Sequence, residues 1–399
     1  MDDIKVQKNG SAGEVFLAFL KLGLTSFGGP VAHLGYFRDE IVTRRRWIGE
    51  SAYGDLVALC QFLPGPASSQ VGFALGLWRA GLPGALAAWA GFTLPSAIFL
   101  VLFALGADLL DGPIAQGVLH GLKIVAVAVV AQAVWGMAKS LTPDLQRAGI
   151  ALAAIVIAMA LVGSAGQVAA IVLGGLAGLV LCRGPAIAVS DAMRFQVSPL
   201  AGMLCLLAFA VLLFGLPLLA PIGGQGVALF DAFYRAGALV FGGGHVVLPL
   251  LDAEIVANGW VSKDSFLAGY GATQAMPGPL FTFAAYLGTV SNGVSGAAIA
   301  LVAIFLPGLL LLVGALPFWD ALRAKPPAQA AMRGANAAVV GILAAALYNP
   351  VWTSAITSWL DIVLALAGFV ALVFWRAPPW VVVVALALCG GAMGQFGGI

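Results

Sequence analysis

Charge is what this chain has least of, with 19 Lys and Arg and 17 Asp and Glu among 399 residues. A water-soluble domain carries about a quarter of its residues as charged side chains, so a soluble globular protein is excluded. The charges nearly cancel at +2, leaving no basic stripe that could grip a phosphate backbone, which argues against nucleic acid as a partner. Cysteine is scarce as well. Cys60, Cys182, Cys205 and Cys389 stand singly in apolar runs with no Cys-x-x-Cys, which excludes a disulfide framework and a thiolate metal site. His33, His120 and His245 lack metal-ligand spacing, so neither metal nor cofactor is expected. There is no phosphate-binding loop, nucleophile elbow or His-Glu-x-x-His, which leaves an ATP-driven pump or a hydrolase without support. Any energy source must be an ion gradient or the membrane potential.

What fills the chain instead is apolar: 61% of residues are hydrophobic and the mean hydropathy is +1.03. The expected class is an all-α polytopic membrane protein. Turn and charge clusters divide the chain into thirteen apolar segments, at about 14–36, 51–79, 82–110, 115–139, 146–163, 166–182, 198–221, 226–250, 265–292, 294–318, 329–348, 353–375 and 379–397. The polar start at 1–13 has no small-residue cleavage site after it, so no removable signal peptide is expected.

The chain repeats itself. A shift of 214 residues superposes 16–42 on 230–256 with eleven identities in 27 positions, where roughly two or three arise by chance. Lys21 falls on Arg235, Phe27-Gly28-Gly29 on Phe241-Gly242-Gly243, and Glu40 on Glu254. A shift of 213 then brings Trp47 onto Trp260, Gln61 onto Gln274 and Pro64-Gly65-Pro66 onto Pro277-Gly278-Pro279. The expected organisation is a polar segment at 1–13, a first repeat at 14–183, a linker with one helix at 184–225 and a second repeat at 226–399. An odd number of crossings separates equivalent points, so the halves should be inverted repeats. With the N-terminus inside, most loop cations obey the positive-inside rule, but Arg38, Arg44, Arg45 and Arg46 then fall outside. Reading 51–79 as a re-entrant hairpin moves that loop inside and the N-terminus outside; broken crossing and hairpin both stay open.

The Pro-Gly-Pro motifs carry most of the functional signal. Proline removes a backbone donor and glycine exposes the chain, so each motif must break its helix at membrane depth, where only protein or a wet cavity can receive it. A packed kink explains one copy; two copies at equivalent positions, each three residues after a glutamine, favour a site. Ser68 and Thr282 follow the breaks, and new helices starting there would aim amides and a positive dipole end at an anion. Phe27-Gly28-Gly29-Pro30 and Phe241-Gly242-Gly243-Gly244 serve as packing faces or pore lining, with Ser26, His33 and His245 as polar neighbours. Lys21 and Arg235 lie within apolar segments, where a cation needs a partner or a function, and their duplication favours anion binding. Glu40 and Glu254 are the candidate proton carriers, an interfacial ion pair being the blander reading.

These residues resemble the chromate ion transporter family in its long two-domain form. The likeness rests on Phe27 to Pro30 with His33, on Arg44-Arg45-Arg46-Trp47, on Gln61 to Pro66 with Gln70, and on Phe241 to His245 and Gln274 to Pro279. It departs where Pro30 becomes Gly244 and His33 becomes Val247. The resemblance implies a secondary transporter, not an enzyme, that exports chromate across the bacterial inner membrane as a multi-pass protein. It also implies chromate resistance and coupling by proton antiport. The implied partners are chromate or its analogue sulfate, protons and the lipid bilayer, with a homodimer left open. Competing readings are a sulfate or oxyanion importer and a passive anion channel.

Overall fold

The computed structural model describes residues 10–27, 29–107, 112–161, 164–183, 195, 197–241, 244–319 and 325–395. Three expected site residues, Gly28, Gly242 and Gly243, lie outside them. Among the described residues every regular element is helical.

The first repeat opens with short helices: α1 (Ala12–Thr25), α2 (Gly29–Phe37), which continues into a π-helical turn (Arg38–Arg44), and α3 (Glu50–Phe62). Longer ones follow: α4 (Ala67–Ala107), α5 (Pro113–Leu141), α6 (Leu145–Ala160) and α7 (Ser164–Leu181). The linker helix α8 (Pro199–Leu219) exposes most of its apolar surface, as a lipid-facing helix does. The second repeat runs through α9 (Gly224–Ala238), α10 (Val247–Leu251) with its own π-helical turn (Asp252–Val256), and α11 (Lys263–Thr273). It ends with α12 (Phe283–Ala315), α13 (Pro326–Ala346), α14 (Trp359–Val373) and α15 (Pro379–Gln395).

Segments 14–36 and 226–250 are not single crossings, which corrects the reading from sequence. Nineteen residues of straight helix would separate Lys21 from Glu40 by about 28 Å. Their charged atoms instead lie 2.7 Å apart, and the rings of Phe19 and Phe37 are 5.4 Å apart. The chain therefore folds back between α1 and α2, and Gly29, the first residue of α2, takes a φ of +81° that a residue with a Cβ adopts only under strain. Arg235 and Glu254 repeat the arrangement at 2.8 Å.

The second Pro-Gly-Pro break is also a hairpin. Tyr286 Oη donates to the Ser265 carbonyl at 3.1 Å, and Phe283 packs edge-on against both Phe266 and Tyr270. Such contacts need α11 and the first limb of α12 to run antiparallel. In the first half α3 has 13 residues, about 20 Å, too short for a hydrocarbon core of about 30 Å, and it packs against α4.

Two further reversals match closely. Ala80 and Gly81 (φ, ψ of −144°, 27° and 64°, −159°) have the geometry of Asn292 and Gly293 (−154°, 33° and 61°, −158°). At each reversal the limbs meet through glycine, Gly76 on Gly84 and Gly288 on Gly296, where any side chain would collide with backbone.

Each repeat thus begins with two re-entrant hairpins, followed by four helices. Among the described residues α4, α5, α8, α12 and α13 are the five long and apolar enough to cross, and α6, α7, α14 and α15 are shorter apolar helices. Between equivalent points lie the second limb of α4, α5, the out-and-back pair α6 and α7, and α8, an odd number of passages, so the halves are inverted. The hairpins also remove the charge conflict. Arg38, Arg44, Arg45, Arg46 and Arg79 now share a side with Lys139, Arg147, Arg183, Lys325 and Arg376, the cytoplasmic side by the positive-inside rule. Among the described loop cations, Lys263 alone falls on the opposite side.

The halves interlock. Helix α5 packs on α14 and α15 of the second repeat, while α13 packs on α6 and α7 of the first. The seams are glycine to glycine, Gly117 against Gly390 and Gly178 against Gly334, so backbones approach without side chains between them.

Candidate functional site

Both Pro-Gly-Pro breaks reach across to the opposite repeat. Gly65 N–H donates to the Val240 carbonyl at the end of α9 (2.7 Å), and Gly278 N–H donates to the Ser26 carbonyl at the end of α1 (2.9 Å). Val240 and Ser26 are equivalent positions, as are Gly65 and Gly278. Each break therefore satisfies a carbonyl left open where the other half's first helix stops. Only glycine suits the position: φ is +120° at Gly65 and +95° at Gly278. A Cβ on Gly65 would stand 3.0 Å from the Gly308 backbone, and one on Gly278 3.0 Å from the Phe92 carbonyl.

Around the first break the polar groups are taken up locally. Gln70 Nε2 donates to the Pro64 carbonyl (3.0 Å) and to the Gly308 carbonyl (2.9 Å), and Pro66 lies against Gly308. His33 Nδ1 and Ser68 Oγ lie 3.4 Å apart in a buried setting. Gln61 is exposed at the end of α3.

The second break lines a pocket of about 60 Å³ with Gly29, Gln132, His245, Thr273, Gln274 and Gly278 among its walls. A cavity that holds one buried water needs on the order of 10–15 Å³, so this pocket has room for more than a single water. Gln274 Nε2 is buried there without a hydrogen-bond partner, a donor left open. His245 Nδ1 and Tyr270 Oη are 2.7 Å apart, which fixes the ring, and Thr282 Oγ1 donates to the Pro279 carbonyl at 2.8 Å. Ser26 Oγ is buried and unpartnered beside the same crossing. Gln132 lies about two-thirds along α5 from the outer side, and Pro379 opens α15 at the inner side, so the pocket lies toward the cytoplasm.

Sequence reasoning named Gly29, His245, Gln274 and Gly278 but missed Gln132 and Thr273. The signal for Gln132 was present: it is the lone polar side chain in the stretch of α5 from Ile124 to Val134.

The duplicated charges sit elsewhere. Glu40 accepts from Lys21 Nζ at 2.7 Å, Arg45 Nε at 2.8 Å and Arg44 Nη1 at 3.3 Å. Burial alone would raise the Glu40 carboxyl, but the bonds from Lys21 and Arg45 outweigh it and hold it at about 2. Arg235 is shared between Glu254 (2.8 Å) and Asp231 (2.9 Å). None of these groups lines the pocket. The pairs pin each first hairpin closed, so the expected supply of anion-binding charge by Lys21 and Arg235 has a competing structural use.

Similarity to known proteins points the same way. The family model described as "Chromate transporter" matches residues 13–179 and again 227–391. The "Chromate transport protein" of Pseudomonas aeruginosa is 31% identical over 351 residues, 83% of this chain and 79% of that protein. The protein of the same name from Cupriavidus metallidurans is 28% identical across 84% of this chain and 81% of its own. An uncharacterized transporter of Methanocaldococcus jannaschii is 26% identical over 81% of this chain and 80% of its own. No solved structure matches the chain.

Proposed function

We infer, because this chain belongs to the chromate transporter family, that it carries chromate out of the bacterial cytoplasm across the inner membrane, conferring chromate resistance. The observation that supports this reading is the crossed pair of breaks, with the open donor of Gln274 in the pocket beside Gly278.

The pocket fits a tetrahedral oxyanion in size and in chemistry. Four oxygens need donors on several sides. The turn Leu280–Thr282, whose Leu280 lines the pocket, begins the helical run into α12, and its first amides lack intrahelical partners. Its dipole end adds partial positive charge without a full cation. Gln274 supplies a further N–H, and Ser26 Oγ can turn its hydroxyl to donate. A site built from neutral donors holds a dianion firmly enough to select it and weakly enough to release it. Chromate enters from the inside, where Arg44, Arg45 and Arg46 gather anions at the cytoplasmic rim.

Direction follows from the field. With the interior negative by about 100 mV, moving a dianion outward releases about 4.6 kcal/mol. Rocking of the inverted halves about the crossed breaks alternates access, since Gly65 and Gly278 each tie one half to the other. Sulfate, of like shape and charge, competes at the same site.

The test is chromate uptake into inverted membrane vesicles, with pH gradient and potential imposed separately. Wild type is expected to accumulate chromate when the lumen is positive, sulfate to inhibit, and Gln274→Ala to raise the KM. A wild type that accumulates no chromate under any gradient rules the reading out.

A further inference from the structure

On the side opposite the arginine-rich loop, a second cavity of about 330 Å³ opens between the halves. Met159 and Gln167, from the outer ends of α6 and α7, form its first-half wall; Asp252, Lys263, Ala345 and Asn349 belong to the second half. Asp252 Oδ1 and Gln167 Oε1 are both buried there without a hydrogen-bond partner. The Gln167 amide cannot flip to help, because its Nε2 is fixed on the Pro249 carbonyl at 2.8 Å. Two buried acceptors in one cavity, neither of them hydrogen-bonded by the Lys263 or Asn349 side chains of the same wall, ask for a proton.

We propose that Asp252 is the outer proton-binding site of the transport cycle, loading a proton from the external side and carrying it on a neutral carboxyl as the halves rock. This rests on the chromate-export reading above and assigns the coupling step to a residue other than Glu40 or Glu254.

The step is a simple protonation: the Asp252 carboxylate takes H+ from cavity water, and the new O–H can serve an acceptor in the same wall. Burial pushes the carboxyl up to about 6, against the opposing charge of Lys263. The other groups facing it are neutral: Gln167 on α7, Met159 on α6 and Asn349 beyond α13. On its own turn, Glu254 is engaged by Arg235. The cavity walls come from both repeats, so their relative motion must change what surrounds the carboxyl. In the first repeat the equivalent position is Arg38, so the inner face has no counterpart of this acid.

The experiment uses purified full-length protein in liposomes loaded with chromate and a trapped pH dye, together with infrared titration of the same samples. Wild type should acidify the lumen as chromate leaves and show a protonated-carboxyl band titrating near pH 6. Asp252→Asn should lose the band and at least about tenfold of the chromate-driven acidification, while still binding chromate and leaking it under an imposed potential. Asp252→Glu should keep coupling, with a shifted pH midpoint. If Asp252→Asn does not fold, Lys263→Gln decides, since loss of the cation must move the band to higher pH. Unchanged acidification in Asp252→Asn, or an unmoved band in Lys263→Gln, overturns the proposal. If wild-type liposomes move no chromate, the export reading falls, and the infrared band alone then decides whether Asp252 binds the proton.

Discussion

The two halves share a backbone plan and differ in what they put on it. Hairpin turns, glycine contacts and Pro-Gly-Pro crossings recur with nearly the same geometry, yet the charges at equivalent places diverge. Arg38 faces Asp252 in the alignment, and Arg44 to Arg46 stand opposite Ala257, Asn258 and Gly259. Because the repeats are inverted, that divergence becomes a difference between membrane faces: cationic inside, with an unpaired acid outside. Inversion makes the two faces alike in shape, and substitution then makes them unlike in charge.

The most drastic test of this comparison is topological. Cysteines introduced at Gly49 and at Ala257, in a background without native cysteines, should label from opposite sides of the membrane, all or none. Labelling from the same side would remove the inversion. Next in size is the crossing itself: Gly65→Ala and Gly278→Ala should each cut chromate flux by about 100-fold, since both force a side chain into left-handed backbone against neighbouring main chain. If only one does so, the crossings are not equivalent in function.

Gln274→Ala and Gln61→Ala should separate the halves. The first removes the open donor in the pocket and should raise the KM for chromate about tenfold; the second, at an exposed position, should change it little. Stability offers a smaller contrast. Glu40→Gln leaves Lys21, Arg44 and Arg45 without their shared carboxylate and should cost about 2 kcal/mol, discounted for the exposure of the cations. Glu254→Gln should cost less, because Arg235 retains Asp231. The sign with pH follows from the depressed Glu40 carboxyl. Its contribution is complete above the usual carboxylate range and is lost as pH falls toward about 2, so Glu40→Gln should leave the pH dependence of unfolding between 5 and 8 unchanged. Smallest of all, neutralising Arg44, Arg45 and Arg46 together should slow chromate entry about threefold at low salt and have less effect at high salt.

Much of the site was legible in the one-dimensional pattern because its signals are local. Pro64-Gly65-Pro66 must break a helix wherever it lies, and a second copy 213 residues on says that the break is used. The pairing of Lys21 with Glu40 was harder to see. Read as a crossing, 14–36 keeps the two far apart, and only the fold-back at Gly29 brings them into contact. Asp252 gave no signal at all: in sequence it is one acid in a polar loop, and its burial depends on α6, α7 and α13 closing over it.

Composition and repetition determined the membrane setting, the two halves and the positions of the breaks, since hydropathy and the backbone limits of proline and glycine act within a few residues. Tertiary structure decided which carbonyl each break would satisfy, which carboxylates would be paired and which face would keep a free acid. Those outcomes are set by distances between groups far apart in the chain, and such distances exist only once the helices have folded back and interlocked.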